Sequence, residues 1–234
     1  MAIGTYVLVH GAWHGGWCWA KVARLLRDAA QEVYTPTLTG LGERAHLARP
    51  EVDLETHIQD VVAVLESEEL RGVTLVGHSY AGMVITGAAA RLSGRIAHLV
   101  YLDAFVPETG KAAFDYLGER GRMLRELVAS QGEGWKIPPL PPERFGVSSQ
   151  RDTEWLNKHL TPQPLRTFEQ PLPAAGGEKL KRTYVYCSKP ATGTFDQFAE
   201  RLRDDRKWTY HDVKTGHDAM VTAPGEIAKI LMAK

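Results

Sequence analysis

Short apolar runs alternate along this chain with longer stretches in which apolar residues recur at helical spacing. The runs have the length of buried strands and fall at Thr5 to Val9, Glu32 to Thr35, Val73 to Val76, Ile96 to Leu102, Thr183 to Cys187 and Trp208 to Val213. Amphipathic stretches predict helices at Trp19 to Ala30, Leu54 to Leu65, Met83 to Arg91, about Phe195 to Arg203 and Pro224 to Met232. This alternation predicts a single α/β domain over residues 1–234, in which a mostly parallel six-stranded sheet carries helices on both faces. On the first helix we expect the core-facing residues to be Val22, Leu25, Leu26 and Ala29.

The alternation breaks between Pro107 and about Lys179. Two helical stretches there surround a proline-rich loop, IPPLPPERFG, and the segment contains no convincing strand pattern. Aromatic residues are scattered through it at Trp135, Phe145, Trp155 and Phe168. We interpret residues 107–179 as a helical lid inserted over the edge of the sheet; a helical subdomain without that role is the alternative.

The stretch VTLVGHSYAGM, from Val73 to Met83, turns from strand to helix within a few residues. Gly77, Ala81 and Gly82 are small enough to allow so sharp a turn around Ser79. The serine hydroxyl would then project from the C-terminal edge of the sheet, at the N-terminus of a helix whose dipole favours negative charge. The pattern predicts a nucleophile elbow with Ser79 as the nucleophile; a tight turn with a serine cap is the alternative.

A serine hydroxyl is a poor nucleophile and needs a base that accepts its proton. Of nine histidines, His217 follows the last strand in a Thr-Gly-His loop, in the chain order expected for this architecture. His78 adjoins the serine but points elsewhere from the elbow, and His10 and His14 belong to the first loop. We predict His217 as the base and expect the other five histidines to be surface or structural residues.

The acid that orients the base is less clearly marked in the sequence. Asp103 ends the strand after the elbow's helix, which puts its carboxylate at the same sheet edge as the serine and the base. Asp196 falls in the first turn of a helix, where its charge has an ordinary structural explanation. Asp218 adjoins His217 and is badly placed to reach its far nitrogen. We predict Asp103, with Asp196 as the second candidate.

Acyl transfer also needs donors for the developing oxyanion. The natural pair is the backbone N–H of Tyr80, which follows the nucleophile, and that of Ala12 on the first loop. Trp13, Phe105 and the lid residue Trp135 are candidate walls of the substrate pocket, although each of them could instead belong to the core.

Composition narrows the possible partners. Lys plus Arg equals Asp plus Glu at 28 each, and no long run of one sign favours nucleic acid or an anionic membrane. Cys18 and Cys187 cannot make a disulfide framework, which fits a reducing compartment. No apolar window approaches the ~18 residues of a membrane span, and the first apolar run is too short for a signal peptide. We predict a cytoplasmic protein that acts on a small molecule.

Two formal motif matches carry little weight. The spacing Gly40-x-Gly42-x-x-Ala45 matches a dinucleotide fingerprint, but Pro36 separates it from the strand and it opens no βαβ unit. His10 and His14 are four residues apart, yet they sit on a loop without the glutamate of an HExxH motif. We expect chemistry without a cofactor or a metal.

Three motifs together carry a resemblance: VLVHGAWHGGWCW, the G-H-S-x-x-G-M elbow and the G-H loop near the C-terminus. In this order they resemble the α/β-hydrolase superfamily, specifically its plant methyl esterase and hydroxynitrile lyase branch with bacterial esterase relatives. The resemblance runs nearly end to end and is weakest across residues 107–179. It implies the same nucleophile, base and oxyanion donors as the residues above.

The chain departs from that branch in two places. The plant enzymes resemble one another in carrying the triad acid shortly after the strand that ends here at Cys187, where this chain has Ser-Lys-Pro-Ala-Thr and no carboxylate. This vacancy favours Asp103, a location that some α/β-hydrolases use. The lyases of the branch resemble one another in having Thr in place of Gly11 and Lys in place of Asp218, and that cation stabilises departing cyanide.

These observations predict a serine carboxylesterase that hydrolyses small, largely apolar esters through an acyl-enzyme, as a monomer or homodimer. The alternatives are a cofactor-free lyase of the hydroxynitrile type and a small-molecule receptor on the same fold.

Overall fold

Six strands form one entirely parallel sheet in the computed structural model, which describes residues 3–233. Two further strands lie outside this sheet. In chain order the strands of the described residues are β1 (Thr5–Val9), β2 (Glu32–Tyr34), β3 (Val73–His78), β4 (Ile96–Leu102), β5 (Lys136–Ile137), β6 (Gln163–Pro164), β7 (Lys181–Cys187) and β8 (Thr209–Val213). The sheet order is β2-β1-β3-β4-β7-β8, and β5 pairs with β6 as a separate antiparallel ribbon. The strand order reverses between β1 and β3, so these two strands flank the topological switch point of the sheet.

Helices cover both faces of the sheet, as predicted. They are α1 (Ala20–Asp28), α2 (Leu54–Ser67), α3 (Ala81–Leu92), α4 (Glu119–Gln131), α5 (Gln150–His159), α6 (Arg166–Glu169), α7 (Asp196–Leu202), α8 (Ala219–Thr222) and α9 (Pro224–Met232). Within the part of the chain that the structure describes, no helix has both the length and the hydropathy needed to cross a bilayer.

Alternate residues of β1 enter two different hydrophobic cores. Val7 and Val9 belong to the core shared with α2 and α3, whereas Leu8 belongs to the core shared with α1 and α9. Because side chains of a strand alternate between faces, continuous apolar runs such as TYVLV fit a sheet that is buried on both sides.

The predicted boundaries of these strands and helices hold within two residues, and those of β1, β4 and α9 hold without change. The prediction for the buried face of α1 was wrong at Leu25, which is 39% exposed. The helix turns Val22, Ala23 and Leu26 to the core, and Leu25 lies outside the stripe that these residues define.

The segment 107–179 differs from the prediction in one respect, because it contains the ribbon of β5 and β6. Two residues per strand are too few to produce an alternating pattern, which explains why no strand is predicted there. The segment also holds α4, α5 and α6, and several of its residues line the cavity described below. Its role as a lid over the edge of the sheet stays a prediction.

Strand register brings four loops to one edge of the sheet. Val9 pairs with Gly77, His78 pairs with Leu102, and Leu102 pairs with Val185 of β7. Parallel strands end at the same edge, so the residues that follow β1, β3, β4 and β8 meet there.

Candidate active site

Ser79 stands at a strained turn between β3 and α3. Its φ is +56°, in the left-handed region that residues with a Cβ seldom occupy. At Gly77 a Cβ would lie 2.8 Å from the Ala81 carbonyl oxygen, and at Gly82 it would collide with the Phe105 carbonyl. The small residues of the motif therefore let α3 approach the strand and the neighbouring loop closely enough for the elbow to form.

The backbone of Ser79 is fixed on both sides. Its N–H donates to Leu102 O at 3.2 Å, and its carbonyl accepts from Gly82 N at 3.1 Å and from Phe105 N at 3.2 Å. The residue is 9% exposed and lines a cavity. These bonds hold the hydroxyl in a defined place at the sheet edge.

His217 and Asp103 form a short, buried contact. The imidazole Nδ1 donates to Asp103 Oδ2 at 2.6 Å, and the Cys187 N–H donates to the other carboxylate oxygen at 3.2 Å. Asp103 N donates to Val185 O at 2.7 Å, which anchors the residue at the end of β4. Burial raises the pKa of Asp103, while its hydrogen bond and charge interaction with His217 act in the opposite direction.

The rival carboxylate, Asp196, has a different partner. Its Oδ1 accepts a hydrogen bond from the Tyr186 hydroxyl at 2.8 Å, and the residue opens α7. It is Phe195 that contacts the imidazole, with its ring stacked on that of His217 at 5.0 Å between centroids. The structure therefore joins Asp103, and not Asp196, to the predicted base.

Ser79 and His217 line the same cavity, although residues 3–233 contain no hydrogen bond between their side chains. Catalytic hydrogen bonds of this kind are often long in a free enzyme and tighten when substrate binds. The imidazole Nδ1 is occupied by Asp103, so Nε2 is the nitrogen left to accept a proton.

Ala12, one of the two predicted oxyanion donors, also lines this cavity. Neither the backbone N–H of Ala12 nor that of Tyr80 donates a hydrogen bond to any residue described. Backbone donors without a partner are rare in a folded interior, and they are what an oxyanion hole requires. The Tyr80 side chain points away into the core, where its hydroxyl lies 3.1 Å from His57 Nδ1.

The loop after β1 approaches the elbow so closely that position 11 has room only for glycine. A Cβ at Gly11 would lie 2.8 Å from Ser79 Cβ and 2.9 Å from His78 Nδ1. His10 fixes this loop, because its Nδ1 donates to Gly11 O at 2.8 Å and its Nε2 accepts from Leu38 N at 3.0 Å. Burial lowers the pKa of His10 to about 3, so it is neutral in the folded protein.

Sequence reasoning missed a buried polar network beneath the site. His14 Nε2 lies 3.1 Å from Asp218 Oδ2, and His14 Nδ1 lies 2.7 Å from Ala12 O. Both partners are acceptors, so both ring nitrogens donate and the imidazole is a cation. Burial by itself lowers the pKa of His14, but the charge and hydrogen bond of Asp218 raise it overall. In the sequence, His14 and Asp218 are only two polar residues beside motif positions, and nothing there indicates that they contact each other.

His78 lies against the same network. Its Nε2 donates to the His217 carbonyl at 3.0 Å, and burial lowers its pKa well below the ordinary value. His78, His217 and Asp218 offer atoms within 4.8 Å of one another that could ligate a metal. Each of these side chains also makes a hydrogen bond within the site: His78 to the His217 carbonyl, His217 to Asp103, and Asp218 to His14.

The cavity above the serine has mainly apolar walls. Trp13 and Phe105 line it, as does Ala12. Further apolar wall residues come from the segment 107–179 and from the loop before α7: Leu117, Met123, Leu124, Leu140, Phe145, Phe168 and Phe195. Two cations, Arg120 and Arg144, also line it, and sequence reasoning did not find them because that segment has no motif to mark them.

Trp135, the third predicted wall residue, does not line this cavity. It is half-buried at the start of the ribbon, where the Lys136 ammonium lies 4.6 Å from its ring centroid. Its carbonyl accepts a hydrogen bond from Leu165 N at 2.8 Å. The residue holds the two halves of the segment together, and Phe145 and Phe168 provide the aromatic wall instead.

Comparison with known proteins identifies the class. A family model described as the alpha/beta hydrolase family matches residues 6–230, so the chain belongs to that family. The predicted fold class is thereby confirmed.

Individual relatives indicate the class of reaction within this family. A carbendazim-hydrolysing esterase from Nocardioides sp. (strain SG-4G) is 43% identical over 244 residues, covering 99% of both chains. The pFDCC methylesterase MES16 of Arabidopsis thaliana is 29% identical over 216 residues, covering 86% of this chain and 79% of that protein. These relatives support esterase activity and confirm the resemblance to the plant methyl esterase branch.

A solved structure supports the same family assignment. An extracellular alpha/beta-hydrolase from a Paenibacillus species, described as a structural and functional homologue of tobacco salicylic acid binding protein 2, superposes with a TM-score of 0.85. It is 25% identical, and the match covers 98% of this chain and 97% of that one.

Proposed function

We propose that this hydrolase is a serine carboxylesterase that works through an acyl-enzyme. The observation that carries the proposal is the 2.6 Å contact between His217 Nδ1 and Asp103 Oδ2, on the wall of a cavity that also holds Ser79 at a strained elbow. Acyl transfer of this kind needs a nucleophile, a base and an acid that orients the base, and we assign these roles to Ser79, His217 and Asp103.

Each group has a defined part in the reaction. His217 Nε2 accepts the hydroxyl proton while Ser79 Oγ attacks the ester carbonyl. The N–H groups of Ala12 and Tyr80 bind the oxyanion, and His217 then returns the proton to the departing alkoxide. Asp103 keeps Nδ1 protonated and stabilises the imidazolium that forms. Water then attacks the acyl-enzyme by the same route and regenerates the serine.

The substrate we propose is a small ester with a largely apolar body. The support is the apolar wall of the cavity, with Trp13, Phe105 and Phe195 near the reacting groups. The esterase and methylesterase relatives act on esters by name, and methyl esters are therefore a natural first set to test.

The lyase alternative finds no support in the site. A cyanide-releasing lyase of the resembling branch has a cation directly after the base, and this chain has the carboxylate of Asp218 there. The threonine that those lyases have in place of Gly11 would also not fit here, because a Cβ at this position would lie 2.8 Å from Ser79 Cβ.

The test is hydrolysis of p-nitrophenyl esters of rising acyl length by the wild type and Ser79→Ala at equal concentration. We expect kcat to fall by about 10³-fold or more in Ser79→Ala, because the nucleophile is lost. Ser130→Ala is the matched control, since Ser130 is an exposed serine whose hydroxyl bonds only to Glu126 O. A fluorophosphonate should label the wild type and Ser130→Ala but not Ser79→Ala.

Turnover that survives in Ser79→Ala would contradict the serine mechanism. Ligand binding without turnover or labelling in the wild type would favour the receptor alternative.

A further inference from the structure

Two arginines line a cavity whose walls are otherwise mostly apolar. Arg120 lies on α4 and is half-buried, and Arg144 lies in the turn Pro142–Phe145 and is exposed. Both side chains belong to the same cavity wall as Ser79 and His217. A charged group beside an apolar pocket is costly to desolvate, so its presence there calls for a partner.

Neither arginine has an acidic partner within 4 Å anywhere in residues 3–233. Their neighbours in sequence do: Arg122 pairs with Glu119 at 2.8 Å, and Arg125 pairs with Glu169 at 2.7 Å. Arg120 and Arg144 differ from these two surface arginines because they have no carboxylate within salt-bridge distance in the described chain.

The guanidinium of Arg120 is only partly satisfied. Its Nη1 donates to Thr194 Oγ1 and its Nη2 donates to Thr192 O, both neutral acceptors. A guanidinium carries five N–H donors, so three remain without an acceptor in the described chain. Burial lowers the pKa of Arg120 and the nearby Arg144 cation lowers it further, while the charge of Asp196, which lies beyond salt-bridge distance, acts in the opposite direction.

The threonine contacts also orient the group. They tie α4 to the loop after β7, so the planar guanidinium is held in place and not free to swing into solvent. A pre-oriented guanidinium is well suited to a carboxylate, which it binds through two parallel hydrogen bonds.

We propose that this cavity selects esters that carry a carboxylate, with Arg120 and Arg144 binding the carboxylate while the scissile carbonyl lies at Ser79. This inference rests on the proposed function and refines its substrate class. The apolar walls accept the body of the molecule and the two arginines accept its acidic group. A half-ester of a dicarboxylic acid and an ester of a hydroxybenzoic acid both have this form.

The test compares charged and neutral esters of matched size. In one pair the carboxylate is on the acyl side: mono-p-nitrophenyl glutarate against p-nitrophenyl pentanoate. In the other it is on the leaving group: 4-acetoxybenzoate against 4-acetoxybenzamide. We expect kcat/KM to favour the anionic ester in at least one pair by about tenfold or more, the size of one charge-assisted hydrogen bond. The preference should shrink as salt is added, since ions screen the attraction.

Variants separate this role from a purely structural one. Arg120→Met and Arg144→Gln should each reduce the ratio of anionic to neutral kcat/KM by about tenfold, and Arg120→Lys should restore part of it because the charge is kept. Arg122→Gln is the matched control on the same helix, and its ratio should equal that of the wild type. Arg144 is exposed, so its variant tests the inference even if Arg120→Met folds poorly.

The outcomes are distinguishable. Equal kcat/KM within both pairs in the wild type, with hydrolysis abolished by Ser79→Ala, would overturn the inference and leave the esterase intact. A ratio unchanged in both arginine variants would also overturn it and would leave Arg120 as a structural tie between α4 and the Thr192–Thr194 loop. Failure of the wild type to hydrolyse any of the four esters would overturn both proposals.

Discussion

Asp218 Oδ2 lies 3.1 Å from His14 Nε2, and both side chains are buried. The pair joins two loops that carry different parts of the site. His14 also donates to the carbonyl of Ala12, whose N–H is a proposed oxyanion donor, and Asp218 directly follows the proposed base. A buried charge pair therefore sets the distance between the oxyanion loop and the histidine loop.

Asp218→Asn should destabilise the protein and slow the reaction. It leaves the His14 cation buried without its counter-charge, which costs about 3 kcal/mol of unfolding free energy. Asp212→Asn is the control, because Asp212 pairs with Lys214 at the surface and should cost no more than about 1 kcal/mol. Urea unfolding measures both variants, and kcat on a p-nitrophenyl ester measures the effect on the site. Equal losses of stability in the two variants would contradict the role given to the buried pair.

Asp103→Asn should lower kcat by up to about 10⁴-fold, because an amide no longer holds His217 in the required tautomer or stabilises its charged form. Asp196→Asn should change kcat little, since that carboxylate contacts the Tyr186 hydroxyl. Steady-state kinetics on one ester compares the two variants directly. The reverse ranking would make Asp196 the acid and would require a conformation in which it replaces Asp103 beside the imidazole.

The sequence was enough to bring Ser79, Asp103 and His217 to one place. Each follows a strand of the parallel sheet, and parallel strands end at a common edge, so position along the chain predicts position in space. Tight turns add a second signal at Ser79, where only small neighbours let α3 begin so soon after β3. The structure then joins His217 to Asp103, which sequence alone left open against Asp196.

The segment 107–179 is where sequence reasoning failed. It has no regular alternation that would tell which side of each helix faces the serine, so Trp135 was predicted at a cavity that Phe145 and Phe168 line instead. Arg120 and Arg144 are indistinguishable in sequence from the paired surface arginines around them. Only three-dimensional contacts separate an arginine with a glutamate partner from one that faces a pocket.

Gly11→Ala should impair catalysis through position alone. The added Cβ would lie 2.8 Å from Ser79 Cβ, closer than real Cβ contacts, so either the loop or the serine must shift. A displacement of this kind at a reacting group can cost about 10²-fold in rate. Gly94→Ala is the control, since a Cβ there meets nothing within 4 Å. A wild-type kcat/KM in Gly11→Ala would show that the loop can move without affecting the reaction.

Acid should destabilise the protein through its buried neutral histidines, and His10 provides the sharpest test. Its pKa is lowered to about 3 in the folded state by burial, against about 6.5 in an unfolded chain. Below about pH 6.5 the unfolded state therefore binds a proton that the folded state does not. The contribution of His10 to stability is complete above that pH, and it falls by about 1.4 kcal/mol per pH unit as the solution is acidified towards pH 3.

His10→Gln removes this titration while an amide can still donate to Gly11 O and accept from Leu38 N. We would measure urea unfolding from about pH 6.5 down to about pH 5. The unfolding free energy should decline less steeply with falling pH in the variant than in the wild type, and the difference in slope should correspond to the uptake of about one proton. His46→Gln, at an exposed histidine, should reproduce the wild-type slope. Parallel declines in all three proteins would mean that His10 is protonated in the folded state at these pH values, and its hydrogen bond from Leu38 N could not then exist.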